Sequence, residues 1–111
     1  MTDIVQLTTT IDSKSSAIQL AETIVAERLA ACAQVLGPIE SVYRWQGKID
    51  VATEWYCHFK TTKLLVERLR IRVVELHPYE IPEVIVVPIL EGHPPYVDWV
   101  ASETRLPTSD S

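Results

Sequence analysis

An unbroken alternation near the middle of the chain constrains the fold more than any other feature. Ile49, Val51, Thr53, Trp55, Cys57 and Phe59 fall on one side of it. Asp50, Ala52, Glu54, Tyr56, His58 and Lys60 fall on the other. A period of two belongs to a strand, whose successive side chains point to opposite faces. The run to Thr61 is about twice as long as the usual ~5–6-residue strand. Gln46-Gly47-Lys48 before it reads as a hairpin turn, which makes Cys32 to Gln46 the mate of this strand. Gly37-Pro38 interrupts that mate, and because proline cannot donate to a ladder a bulge or bend is expected there. In a chain of 111 residues such a hairpin projects past its own sheet. A projecting strand end is an edge hazard unless another chain covers it, and the tip carries Tyr43, Trp45 and Ile49. Self-association through the hairpin is therefore expected.

The other elements follow from shorter signals. Asp3 to Thr10 is strand-favouring in composition. Asp12 or Ser13 can cap a following helix, whose apolar positions are Ile18, Ala21, Val25 and Leu29, with Ile24 beside them, and which is expected to end near Ala31. A second helix is expected from Thr61 or Thr62, with Leu65, Leu69, Val73 and Leu76 as its stripe and Pro78 ending it. Val84 to Leu90 reads as a buried strand with a bulge or sheet edge near Pro88. Pro94 or Pro95 suits the first turn of a last short helix carrying Tyr96, Val97, Trp99 and Val100. The order is βαββαβ with an extra C-terminal helix, the ferredoxin-like α+β pattern. Right-handed crossovers put the two main helices on one face of an antiparallel sheet and leave the other face bare. The domain expected is residues 1–105, with a mobile tail at 106–111.

Composition removes several functions. Fifteen Asp and Glu against ten Lys and Arg give a net charge of −5, which disfavours a nucleic-acid partner. No apolar run reaches the ~18 residues of a membrane span, and the start has no basic n-region. A cytoplasmic protein with no membrane partner is expected. The three glycines, Gly37, Gly47 and Gly92, are isolated, so no phosphate-cradling loop exists. An RNA-recognition module shares the strand order but needs aromatic residues on the first strand, which Ile4-Val5-Gln6-Leu7 does not supply. The sequence contains no Asn, the residue with which an acylphosphatase-like enzyme would position its water. Cys32 and Cys57 read as free thiols, with Cys57 in the core.

Five strings carry a family resemblance. They are Glu27-Arg28-Leu29-Ala30-Ala31-Cys32-Ala33, Ser41-Val42-Tyr43-Arg44-Trp45-Gln46-Gly47-Lys48-Ile49, Lys60-Thr61-Thr62, His77-Pro78-Tyr79-Glu80-Ile81-Pro82-Glu83 and Tyr96-Val97-Asp98-Trp99. In this order, from about Ile4 to Trp99, the chain resembles the CutA family of divalent-cation tolerance proteins. The resemblance implies a ferredoxin-like subunit, a stable cytoplasmic homotrimer, a link to divalent metals, copper above all, and no established reaction. It also implies an architecture similar to the PII signalling proteins, which sense small ligands between subunits. The expected function is non-enzymatic binding or sensing. The alternative is a PII-like structural or signalling scaffold with a small ligand in an inter-subunit cleft.

Candidate residues are few. His77 is the best single metal-ligand candidate, but a useful Cu(II) or Zn(II) site wants three or four N, S or O ligands. No such cluster is visible in one subunit, and capping of a helix C-terminus is the stronger reading of His77. No cofactor is expected, beyond weak binding of Cu(II) or another divalent cation. Glu54, His58 and Lys60 share a strand face and read as an interface network rather than an acid–base pair. Tyr43, Trp45 and Tyr56 join them as interface or cleft residues. Tyr79, Glu80 and Glu83 sit in a loop stiffened by Pro78 and Pro82. They too are expected at the inter-subunit cleft or interface; the two glutamates could bind a metal or a ligand amine, and pairing with Arg68, Arg70 or Arg72 is the stronger reading.

Overall fold

The long alternation forms a strand because both of its edges find partners. In the computed structural model, which describes residues 2–106, β3 (Lys48–Thr62) lies between β2 (Cys32–Trp45) and β1 (Ile4–Ile11). The fourth strand, β4 (Val84–Pro88), pairs with the other edge of β1. All pairs are antiparallel, in the order β2-β3-β1-β4. The helices are α1 (Lys14–Ala26), α2 (Val66–Leu76) and α3 (Pro94–Glu103). This is the expected ferredoxin-like α+β subunit with its additional helix. Most of the expected tail, residues 107–111, lies outside the described residues.

The sheet separates its faces by parity. Leu7 and Ile11 of β1 and Cys57 and Phe59 of β3 pack in one core with Leu20 and Ile24 of α1 and Leu69 and Val73 of α2. Gln6, Thr8 and Thr10 of β1, and Glu54, Tyr56, His58 and Lys60 of β3, therefore point the other way. That second face is not wholly bare. Val100 and Val97 of α3 pack on Ile4, Ala31 and Ile89 and cover one end of it. The face remains open from Gln6 to the hairpin.

Several local expectations shift. Ser13 is the cap of α1, its Oγ accepting from the Ser16 N–H at 3.2 Å. The helix then stops at Ala26 rather than near Ala31, because Arg28 adopts a left-handed φ of 63°. Its buried residues are Ala17, Leu20, Ala21 and Ile24, whereas Ile18 and Val25 of the expected stripe are exposed. The second helix begins at Val66, not at Thr61 or Thr62, because those threonines still pair with Val5 and Ile4. Leu76 at its end is exposed rather than part of the stripe. The last strand is an edge and not a buried strand: Ile85, Val86 and Val87 are all exposed in the single chain.

The hairpin behaves as its sequence requires. Gln46 and Gly47 have φ of 49° and 78°, the double positive φ of the tight turns that match strand twist. Trp45 pairs with Lys48, and the register breaks between Leu36 and Ile39, at the expected bulge. Its distal half is bare: Val42 is 68 % and Ile49 67 % exposed.

Candidate functional site

Glu54 anchors the site. It lies on the open side of β3, opposite Ile39 just past the bulge, and is only 7 % exposed. Its Oε2 accepts a hydrogen bond of 2.7 Å from the Tyr79 hydroxyl. Tyr79 is itself held from behind. The His77 ring meets it edge-on, with centroids 4.7 Å apart. His77 Nδ1 accepts from the Tyr79 N–H at 3.1 Å, and Nε2 lies 2.8 Å from the Thr10 carbonyl. A carbonyl only accepts, so Nε2 carries the proton and Nδ1 is bare. Burial first, and the Glu54 carboxylate second, push the Tyr79 phenol well above its ordinary range. It therefore remains a donor at any physiological pH. The end of α2, the end of β1 and the middle of β3 are tied together through this chain of bonds.

A cleft of about 720 Å³ opens beside it. Asp12, Glu40, Glu54, Glu80 and Glu83 are the acidic residues along its wall, and Tyr43, Trp45, Tyr56 and Tyr79 the aromatic ones. Among the described residues no Lys, Arg or His lines it. The ion pairs among the described residues join Arg28 to Glu103, Arg70 to Glu67 and Arg72 to Glu27. Glu80 and Glu83 are therefore not paired with Arg68, Arg70 or Arg72 as expected. Arg72 is taken by Glu27, whose carboxyl its hydrogen bonds hold below the ordinary value.

His58 and Lys60 do not join this cleft. His58 Nδ1 lies 2.9 Å from Thr8 Oγ1 and 3.3 Å from Gln6 Nε2, and its ring stacks on Tyr56 at 5.2 Å. Lys60 Nζ donates to Gln34 Oε1 at 3.0 Å. Beyond Gln34, Cys32 Sγ stands 3.3 Å from the Tyr96 hydroxyl, which the hydrogen bond to the thiol first, and burial second, raise to about 12. The expected network of Glu54, His58 and Lys60 is thus three separate contacts. One face holds all of them, but no ion pair links them.

No group of three or more His, Cys, Asp or Glu side chains among the described residues is arranged to hold a metal ion. His77 has protein partners on both ring nitrogens, so a metal there would displace one. His93 caps α3 at a distance in the chain. Of the residues singled out from sequence, Tyr43, Trp45, Glu54, Tyr56, Tyr79, Glu80 and Glu83 come together in the cleft. Glu40 and Asp12 were not anticipated. The hairpin register gave no signal for Glu40, because it pairs Glu40 with Thr53, on the side of β3 away from Glu54. Asp12 offered only the signal of a helix cap.

Residues 5–103 match the family described as CutA1 divalent ion tolerance protein. The chain is 40 % identical over 95 residues to the divalent-cation tolerance protein CutA of Thermus thermophilus, spanning 86 % of this chain and 92 % of that one. It is 40 % identical over 96 residues to protein CutA of Mus musculus, spanning 86 % of this chain but 54 % of the relative, about half its length. The crystal structure of CutA from Xylella fastidiosa is similar at a TM-score of 0.91 and 36 % identity, covering 94 % of this chain and 100 % of that one.

Proposed function

The chain belongs to the CutA1 divalent ion tolerance family, and on that premise we propose that it works by binding rather than by catalysis. In this reading it is a homotrimeric binding or sensing protein whose ligand sits in the Glu54–Tyr79 cleft, and it serves the response to divalent ions, copper above all. One observation carries the reading: a buried carboxylate held by a tyrosine hydroxyl lines a cleft together with several aromatic rings. Such a mostly preformed concavity with a few convergent polar groups is the usual form of a ligand site.

Assembly is supported by the exposed apolar surface of the hairpin and of β4, more than a lone small domain ordinarily leaves in water. In a trimer the cleft, open along the hairpin, would be closed by a neighbour. Two free thiols fit a reducing, cytoplasmic compartment. The charge of −5 supports a reading without nucleic acid. No membrane partner enters it: no described helix is long and apolar enough to cross a membrane.

Copper in this reading binds at isolated side chains and is not needed for folding, since zinc-finger-like dependence requires a closed ligand set. The test is a titration of Cu(II), Zn(II) and nucleotides watched by tryptophan emission, because Trp45 lines the cleft. A melting curve is recorded with and without chelator. Saturable ligand binding with an unchanged melting temperature supports the reading. A large loss of melting temperature on chelation would mean a structural metal, and would overturn it.

A further inference from the structure

Both ring nitrogens of His77 are occupied within the chain, and only one protonation state fits them. Nε2 faces the Thr10 carbonyl, which can only accept, and Nδ1 faces the Tyr79 N–H, which can only donate. The neutral ring with its proton on Nε2 satisfies both. A second proton on Nδ1 would set one N–H against another and leave the Tyr79 amide without its partner. His77 is buried, so the ring has little water to turn to instead. A neighbouring subunit over the cleft leaves this unchanged, because both partners belong to the same chain.

The loop that follows depends on this bond. Among the described residues, residues 78–83 are tied to the rest of the chain by two hydrogen bonds, both through Tyr79: its N–H to His77 and its hydroxyl to Glu54. Pro78, Glu80, Ile81 and Glu83 are exposed. A segment with so few ties and so little enclosure has low local stability. The charged and titratable groups around it pull the other way. Asp12 at the end of β1, Glu54 on β3 and the Tyr43 phenol act on Tyr79, and Glu80 follows it in the loop. On the same helix Glu75 lies within reach of Arg72. From α1, only uncharged side chains line the groove against Leu76 and Pro78. Carboxylates thus draw a proton toward a ring whose hydrogen bonds fit only its neutral form.

We propose that His77 is an acid-operated latch: protonation at Nδ1 releases the Tyr79 N–H and frees the loop of residues 78–83, which forms one wall of the cleft. The latch acts whatever the cleft receives. Only its effect on ligand binding or assembly rests on the reading above.

The test follows ring and amide together in the full chain by NMR, at constant ionic strength, from about pH 8 to about pH 5, the range in which imidazoles ordinarily titrate. Ring nitrogen shifts report the protonation of His77. Hydrogen exchange, corrected for its intrinsic pH dependence, reports the Tyr79 amide. At the alkaline end Nε2 should carry the proton and Nδ1 should be bare. On acidification the Tyr79 amide should lose about tenfold in protection, the worth of one hydrogen bond, with the same midpoint as the ring. His77→Asn offers the amide an acceptor that does not titrate, and should keep it protected throughout. His58→Gln, which removes the imidazole of the open face, should leave the transition in place. If His77→Asn does not fold, the coincidence of ring and amide in the parent still decides. A ring that stays neutral to about pH 5, an amide still protected once the ring is protonated, a transition that persists in His77→Asn, or one that vanishes in His58→Gln would overturn the proposal. Sedimentation over the same pH range separates the claims. Dissociation that precedes the ring's titration would make the open loop a consequence of disassembly, and would also overturn the latch. A loop that opens at unchanged mass upholds it, and if that mass is the monomer's, the assembly reading alone is defeated.

Discussion

Gly37 lies against the indole of Trp55: a Cβ at Gly37 would stand 2.5 Å from Cδ1 and 2.8 Å from Cγ of that ring. Gly37 sits where β2 breaks register, between Leu36 and Ile39. Trp55 also packs against the main core, so its ring is not free to swing aside. Gly37→Ala is predicted to destabilise the protein by about 1–3 kcal/mol through overpacking, read as a lower urea midpoint at unchanged slope. An unchanged midpoint would show that the ring yields.

The hairpin was legible because its signals are local. Period two marks β3, and Gln46-Gly47 marks the turn. Three features were not. The end of α1 depends on a left-handed Arg28, a conformation its residue type does not announce, while Leu29 continues the helical pattern. Thr61 and Thr62 suit a helix cap as well as a strand, and only the pairing with β1 decides. The apolar run of β4 looks the same whether buried or exposed, since sequence does not say what covers an edge. In the cleft, Glu54 and Tyr79 were each identifiable. Their hydrogen bond joins the middle of β3 to the loop after α2, and needed the tertiary fold.

His58 gives a pH dependence. Burial first, and the Lys60 charge second, hold its imidazole below the ordinary value of 6.5. Gln6 and Thr8 occupy Nδ1, and Tyr56 stacks on the ring. The unfolded chain therefore takes up the proton first as pH falls. The stabilising contribution is complete above about pH 6.5 and is lost as pH drops through the lowered folded value. Denaturant midpoints at a series of pH values should fall on acidification, and His58→Gln should reduce that fall. An identical profile in the variant would exclude His58 as the cause.

The two thiols are predicted to differ in reactivity. Burial raises the Cys57 thiol to about 11, and it is fully enclosed, whereas Cys32 is partly exposed. The thiolate is the reactive form. Alkylation of the native protein followed by peptide mapping should label Cys32 well before Cys57, with both labelled in denaturant. Early labelling of Cys57 would mean that the core opens readily at β3.

Trp45 and Trp99 are equally exposed in the single chain, at 39 % and 41 %. On that basis alone, their substitution by alanine should cost similar, small amounts. If neighbours cover the hairpin tip, Trp45→Ala instead costs up to about 3–5 kcal/mol per site, as for a buried tryptophan, and the assembly weakens or dissociates. Trp99→Ala should act mainly on α3. Thermal melts and sedimentation of the two variants separate these cases, and equal behaviour would remove the hairpin tip from the interface.

The central claim is that the open sheet face and the projecting hairpin are completed by two further copies of the chain. Sedimentation equilibrium of the unmodified protein at micromolar concentration tests it most directly. A single species of three times the 12.5 kDa chain mass is expected; a single species at the chain mass would rule out the trimer.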